Sequence, residues 1–319
     1  MDKTVIFALL ISFVLTASLV KALIPLLRKL KMGQKILEIG PAWHISKQGT
    51  PTMGGLAFLL AVALVCFGYY FVTGDILLCL TLCYALANGA IGILDDLLKL
   101  KRKQNEGLSA FSKFLLQLIV SAIYVVLLYS GGYVTGELYI PFLSVTVELG
   151  RLYFPFALLL LCGFTNAVNL TDGLDGLCSS VTAVVMLFFA ITSIGSGNLS
   201  GAIISLAVLG AVIGFLIYNF HPAKVFMGDT GSLFLGGAVG GLALTSYKNT
   251  AVFVVGAVYL IEAGSVILQV LYYKATKKRL FLMAPFHHHL EKKGHSEVKI
   301  TLLFSAITLL LAAISYLFI

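Results

Sequence analysis

Ten long apolar runs, separated by short polar stretches, occupy roughly residues 4–27, 53–72, 76–96, 113–130, 152–170, 177–194, 199–219, 231–247, 250–272 and 299–318. Each is close to the length of about 20 residues that a helix needs to cross the apolar core of a bilayer. In that medium the backbone polar groups must find partners within the segment itself, which selects helix. The pattern predicts an all-α integral membrane protein of about ten transmembrane helices, a single polytopic domain over 1–319 with no soluble domain outside the spans. One polar stretch differs: "GGYVTGELYIPFLSVTVELG" at 131–150 alternates loosely and predicts a small β-hairpin. The first run is too long for a signal peptide, carries Lys21, Pro25 and Arg28 near its far end and lacks a small-residue cleavage site, so it is expected to be retained.

Composition agrees with this class: 59% of residues are hydrophobic, 11% are charged and mean hydropathy is +1.00, whereas soluble domains carry about a quarter charged residues. The five cysteines, Cys66, Cys79, Cys83, Cys162 and Cys178, are odd in number and show no metal-binding spacing, so they are expected to be packing residues. Of the 22 Lys and Arg, only Lys3, Lys21, Arg151 and Lys248 lie outside the loops that follow spans 1, 3, 5, 7 and 9 and their edges. By the positive-inside rule those loops face the cytoplasm, and both termini and the 131–150 hairpin face outward. The net charge of +8 thus reads as topology rather than nucleic-acid binding, although a basic face also attracts anionic lipid or an anionic substrate.

With that topology the acidic residues gather at one depth. Asp95 and Asp96 in "GILDDLLKLK" end span 3, Asp172 and Asp175 in "NAVNLTDGLDGL" (166–177) lie between spans 5 and 6, and Asp229 in "FMGDTGS" opens span 8. Each has a simpler structural reading. Asp172, Asp175 or Asp229 can cap a helix, and Asp95 and Asp96 can form a solvated helix end with Lys99 three or four residues away. Their company argues for more. "GDTGS" places Gly228 and Gly231 beside Thr230 and Ser232 at a helix N-terminus, where free N–H groups favour phosphate. Oxygen ligands at a water boundary suit Mg2+, which binds through one or two carboxylates plus substrate phosphates. Asn88 lies two turns before Asp95, and Glu262, Ser265 and Gln269 share a face of span 9 as ligand contacts or as a polar seam; Gly256 and Gly264 are places where that helix can bend. His287, His288 and His289 cannot all face one way on a helix, which argues against a zinc site from this run alone. A surface run of imidazoles is one alternative, phosphate or sugar contact another.

Together, "KQGTPTMGG" (47–55), "DDLLK" (95–99), "NAVNLTDGLDGL", "VFMGDTGS" and "APFHHHLEKKG" resemble the signature segments of the phospho-N-acetylmuramoyl-pentapeptide transferases, or translocases I, within the polyprenyl-phosphate N-acetylhexosamine-1-phosphate transferase superfamily. The aspartate motifs are shared across that superfamily; the triple-His segment and "GTPTMGG" are more particular to the muramoyl branch. The resemblance implies a Mg2+-dependent enzyme of the bacterial cytoplasmic membrane that transfers phospho-N-acetylmuramoyl-pentapeptide from its UDP-linked form to undecaprenyl phosphate, giving lipid I and UMP. Its site would be built from the cytoplasmic loops 28–52, 97–112, 166–177, 220–232 and 273–298. In this reading Asp229 is the expected metal ligand, with Asp95 and Asp96 as further candidates. Asp95 and Asp96 activate or orient the lipid phosphate, Asp96 as base, unless an aspartate attacks to form a covalent phospho-enzyme. Asn169, Asp172 and Asp175 are expected on the donor, Asp175 toward the uracil, and Lys47, Lys99 and Lys113 on phosphates. His288 is a catalytic candidate, with His287 and His289 holding diphosphate or sugar. Thr52, Asn88, Phe226, Gly228, Ser232 and Gln269 complete the expected substrate contacts, Phe226 as a stacking partner or as an ordinary interfacial aromatic. Membrane lipid is the other partner, nucleic acid is not, and a homodimer stays open. Two other readings remain: a relative that uses UDP-N-acetylglucosamine, and an ion-coupled transporter or flippase, although transporters place such carboxylates near the membrane midplane.

Overall fold

The computed structural model describes residues 3–30, 47–102, 104, 106–140, 143, 145–246 and 249–318. Residues 31–46 of the expected 28–52 loop, with Lys31 and Lys35, and also Lys103 and Lys248, fall outside the described residues. The long helices are α1 (Lys3–Lys29), α2 (Gly55–Thr73), α3 (Ile76–Arg102), α4 (Ala110–Ser130), α5 (Tyr153–Thr171), α6 (Leu177–Gly195), α7 (Leu199–Asn219), α8 (Gly228–Thr245), α10 (Ala257–Thr276) and α12 (Glu297–Leu317). Short helices α9 (Val252–Val255) and α11 (Phe286–Lys292) complete the set.

Among the described residues 8 helices are long and apolar enough to cross a membrane, and α9 with α10 makes a ninth if the pair is one span. All ten expected runs form helix, and two of them fall short of a straight, fully apolar span. The run at 250–272 bends by 70° at Gly256, between α9 and α10, where a Cβ would lie 2.7 Å from Phe164 Cε1. The run at 231–247 forms α8, but its glycines and its Asp-Thr-Gly-Ser start dilute its apolar character, and the helix is buried along almost its whole length. It packs between α3 and α5, so protein rather than lipid surrounds it.

The hairpin forms as two antiparallel strands, β1 (Glu137–Ile140) and β2 (Val145–Glu148), in register from Glu137 opposite Glu148 to Ile140 opposite Val145. Asn249 holds it, accepting from Tyr139 N at 3.3 Å and donating to Glu137 O at 3.1 Å. The start of α1 and the end of α12 share that end of the bundle. α1 runs parallel to α7, with Gly210 against Leu9 and Gly214 against Phe13, and α12 starts at the opposite end beside Asp175. The cysteines are unpaired; Cys66, Cys162 and Cys178 are buried in the packing as expected, whereas Cys79 is half-buried and Cys83 is exposed on α3.

Candidate active site

Three helix ends meet at the end of the bundle away from the hairpin. α3 contributes Asp95, Asp96 and Lys99, α4 contributes Lys113 in its first turn, and α8 contributes Asp229 in its first turn. Lys99 Nζ lies 2.6 Å from Asp95 Oδ2, 3.1 Å from Asp229 Oδ2 and 3.7 Å from Asp96 Oδ1. Lys113 Nζ lies 3.4 Å from Asp95 Oδ1 and pairs closely with Asp229 Oδ2. Two ammonium groups thus sit among three carboxylates whose mutual repulsion would otherwise be severe in so enclosed a place.

Asp96 has a second task. Its Oδ2 accepts from the Thr230 N–H at 2.9 Å and the Thr230 hydroxyl at 2.8 Å, and its Oδ1 from the Asp229 N–H at 3.3 Å. A carboxylate of α3 therefore caps α8, where unpaired N–H groups and the helix dipole favour an anion. Gly92 permits this approach: a Cβ there would lie 2.2 Å from Asp229 O. Gly228, at φ +70, turns the chain into α8 with Thr52 and Asp96 packed where its Cβ would be. The "KQGTPTMGG" segment docks alongside: Phe226 N donates to Pro51 O at 2.8 Å, Gly54 N to Phe226 O at 2.8 Å and Gly55 N to Met227 O at 3.0 Å. From α5, the Asn169 amide donates to Asp229 Oδ1 at 3.2 Å and Ser232 Oγ at 2.7 Å. The half-buried Asp172 carboxyl, just beyond α5, is pushed up to about 8 by desolvation and then by the charges of Asp229, Asp96 and Asp175.

Beside this cluster lies a cavity of about 650 Å³. Lys47 reaches into it, 2.7 Å from Asp175 Oδ1 and 2.5 Å from Glu297 Oε2. Asp175 is almost saturated, since its Oδ2 also meets His221 Nδ1 and the Ala223 N–H, each at 3.0 Å. His287, His288 and His289 stand on α11. His287 Nδ1 is 2.9 Å from Glu262 Oε2 of α10, and His288 Nδ1 is 2.6 Å from Glu291 Oε2. His289 stacks on Phe286 and accepts from Leu282 N at 3.2 Å.

The sequence of this chain has many relatives. A family model described as glycosyl transferase family 4 matches residues 77–247, and one described as phospho-N-acetylmuramoyl-pentapeptide-transferase signature 1 matches 47–59. A phospho-N-acetylmuramoyl-pentapeptide-transferase of Clostridium novyi (strain NT) is 46% identical over 316 residues, 98% of this chain and 96% of the relative. Proteins of the same name from Clostridium perfringens (strain 13 / Type A) and Clostridium kluyveri (strain NBRC 12016) are 45% and 42% identical, covering 99% and 98% of this chain and 98% of each relative. The chain belongs to the phospho-N-acetylmuramoyl-pentapeptide-transferase family.

Most of the residues expected from the family's motifs come together at this end of the bundle. Asp95, Asp96, Asp229, Lys99, Lys113 and Asn169 form one contact network, Thr52 and Gly228 adjoin Asp96, and Ser232 bonds Asn169. Lys47 and Asp175 share the neighbouring cavity, and the half-buried Phe226 pairs through its backbone with Pro51 and Gly54. Asn88 is not brought to the site. It is buried two turns below Asp95, about 10 Å along the helix, and donates to Tyr84 O at 3.1 Å. Gln269 Oε1 accepts from Leu280 N at 3.1 Å and Phe281 N at 2.8 Å, so it pins the histidine-bearing loop. His221 and Glu297 escaped the sequence reading, because a histidine before a proline and a glutamate in the first turn of α12 look like ordinary punctuation.

The donor chemistry fits a hard divalent cation at one place. Asp95, Asp96 and Asp229 each offer a carboxylate oxygen within 4.8 Å of the others, an all-oxygen set of the kind Mg2+ takes. Asp175, His221 and Glu297 are also within 4.8 Å of one another, but that set includes an imidazole, which suits Mg2+ less well than oxygen alone; in both sets a lysine now bridges the carboxylates and would have to yield to a cation.

Proposed function

We propose that this chain transfers phospho-N-acetylmuramoyl-pentapeptide from UDP-N-acetylmuramoyl-pentapeptide to undecaprenyl phosphate, forming lipid I and UMP for peptidoglycan biosynthesis. What carries the reading is the convergence of Asp95, Asp96, Asp229, Lys99 and Lys113 on the N-terminus of α8, at one end of an apolar bundle. A water-borne nucleotide and a lipid-borne phosphate can meet only at such a boundary. The UDP-N-acetylglucosamine relative would share the aspartates, but the match of residues 47–59 to the muramoyl signature favours the muramoyl donor. A transporter is not favoured, since the carboxylates lie at helix ends. The basic loops support placing this end at the cytoplasmic face of the bacterial inner membrane.

In the reaction a phosphate oxygen of the lipid forms a bond to the β-phosphorus of the donor. The bond from that phosphorus to the bridging oxygen breaks, and UMP departs with the electron pair. Asp229, with Asp95 beside it, would hold Mg2+, and the ion would supply charge compensation to the diphosphate and the leaving group. Lys99 and Lys113 hold phosphate oxygens and keep the two anionic reactants close, at the cost of loosening their present carboxylate partners. Asp95, rather than the Asp96 expected from the sequence, orients the lipid phosphate and takes its proton when it arrives as a monoanion, because the Asp96 oxygens are engaged at the start of α8. Asp96 keeps its bonds to Thr230 and the Asp229 N–H, which fixes the end of α8 and with it Asp229. Lys47 and Asp175 face the nucleoside end of the donor, and Asp172 adjoins its diphosphate. The test is mass-spectrometric: purified protein given the muramoyl donor, undecaprenyl phosphate and Mg2+ should yield a lipid whose mass is that of the joined diphosphate, together with UMP. A transported but chemically unchanged substrate would refute the proposal.

A further inference from the structure

Lys47 stands between two carboxylates from opposite halves of the chain. Its ammonium lies 2.7 Å from Asp175 Oδ1 and 2.5 Å from Glu297 Oε2, and the three side chains are only 15%, 2% and 10% exposed. An ammonium has three hydrogens. Two are committed to these carboxylates, and among the described residues the third is left for the cavity that all three side chains line. Asp175 spends its other oxygen on His221 and the Ala223 N–H, so Glu297 is the second anchor of the lysine. Glu297 also reaches the backbone. The same Oε2 accepts from the Asp175 N–H at 3.2 Å, and one turn further along α12 the Thr301 hydroxyl donates to Asp175 O at 3.3 Å. The start of α12 therefore holds both backbone polar groups of Asp175, in the turn between α5 and α6, and through Glu297 it holds Lys47 of the segment before α2. Lys47, Asp175 and Glu297 together carry net negative charge, which disfavours phosphate at Lys47 and suits an uncharged hydrogen-bonding group such as a nucleobase carbonyl.

We propose that Glu297 is a positioning residue for the nucleoside end of the donor, fixing the Lys47 ammonium and the Asp175 backbone from the first turn of α12. The inference rests on the transfer reaction above, in which Lys47 and Asp175 face that end. Glu297 acts through them. Without its charge the ammonium, held by Asp175 alone, regains the rotamer freedom of a long side chain, and that freedom is lost again whenever the donor binds. The loss falls equally on the bound substrate and the transition state, so it belongs to donor KM rather than to kcat.

Glu297→Gln keeps an oxygen for the Asp175 N–H and removes the charge. Calorimetric titration of the purified protein with UMP should show roughly 10-fold weaker binding than wild type. Donor KM should rise alike, while kcat and KM for undecaprenyl phosphate stay within about threefold. A double-mutant cycle with Lys47→Met separates this from general loosening: Glu297→Gln should cost nothing further once Lys47 is gone, because its effect passes through that ammonium. Thr301→Val removes only the hydroxyl that holds Asp175 O. It should raise donor KM by a smaller factor with the acceptor spared, and it decides alone if Glu297→Gln fails to fold, an unchanged donor KM then counting against the proposal. Unchanged UMP binding in Glu297→Gln, losses that multiply independently in the cycle, or equal losses for donor and acceptor would overturn it. A wild type that binds UMP but turns over no donor would instead count against the transfer reaction, with the UMP titrations still judging Glu297; one that does neither would overturn both.

Discussion

Asp229 bears the heaviest load of any single residue, because its two oxygens face Lys99, Lys113 and Asn169 while its own N–H is held by Asp96. Asp229→Asn keeps the shape and removes one charge from the proposed metal set. Turnover should fall on the order of 100-fold or more, and Mn2+ binding followed by electron paramagnetic resonance should weaken with it. Activity within a few-fold of wild type would exclude Asp229 as the principal ligand. Asp172 gives a prediction of a different kind. Its carboxyl is raised from 3.8 to about 8, so the folded protein binds this proton more tightly than the unfolded chain does. The cost of the group is absent below pH 3.8, grows as pH rises toward about 8 and is constant above that. Asp172→Asn should therefore raise Tm without substrate, with a gain that widens between pH 5 and pH 8. A gain that is equal at both pH values would show that the carboxyl is not raised.

Among the helices, the contact of α3 with α8 positions the site. Gly92→Ala puts a methyl group 2.2 Å from Asp229 O, which separates the helices and moves Asp229 away from Lys99. Both Tm and turnover should drop. Gly68→Ala on α2, with nothing within 4 Å of its Cβ, should leave both near wild type. Equal behaviour of the two variants would mean that the close approach is unimportant. The fate of these elements shows what was readable beforehand. Span boundaries and the hairpin followed from hydrophobic pattern, which dominates wherever lipid is the solvent, and Gly256 marked a possible bend. The gathering of Asp95, Asp96 and Asp229 at one end followed from topology alone. The capping of α8 by Asp96, the pinning of residues 280–281 by Gln269 and the sharing of Lys47 between Asp175 and Glu297 were not legible. Each depends on which helices are neighbours, and local spacing carries no record of that. Asn88 shares a helix face with Asp95 but not its depth, which spacing alone does not separate.

The described molecule presents a basic, carboxylate-lined end and an opposite end bearing the hairpin, the start of α1 and the end of α12. If the first is cytoplasmic, a cysteine introduced at Gly136 in a variant without the five native cysteines should react with a membrane-impermeant maleimide from outside intact spheroplasts. Reaction only after the membrane is permeabilised would invert the orientation. The central claim concerns chemistry and donor. Uridine and diphosphate are common to both candidate donors, so Asp229, Lys99 and Lys113 cannot tell them apart. Selection must come from contacts to the lactyl-peptide arm, and the described loop 277–296 with α11 is the large polar element beside the cavity that can supply them. The most direct test is kcat/KM for UMP release by the purified protein, with undecaprenyl phosphate and Mg2+, comparing UDP-N-acetylmuramoyl-pentapeptide with UDP-N-acetylglucosamine. The muramoyl donor should be turned over and the other little or not at all; equal efficiency with both, or UMP from neither, would contradict the assignment.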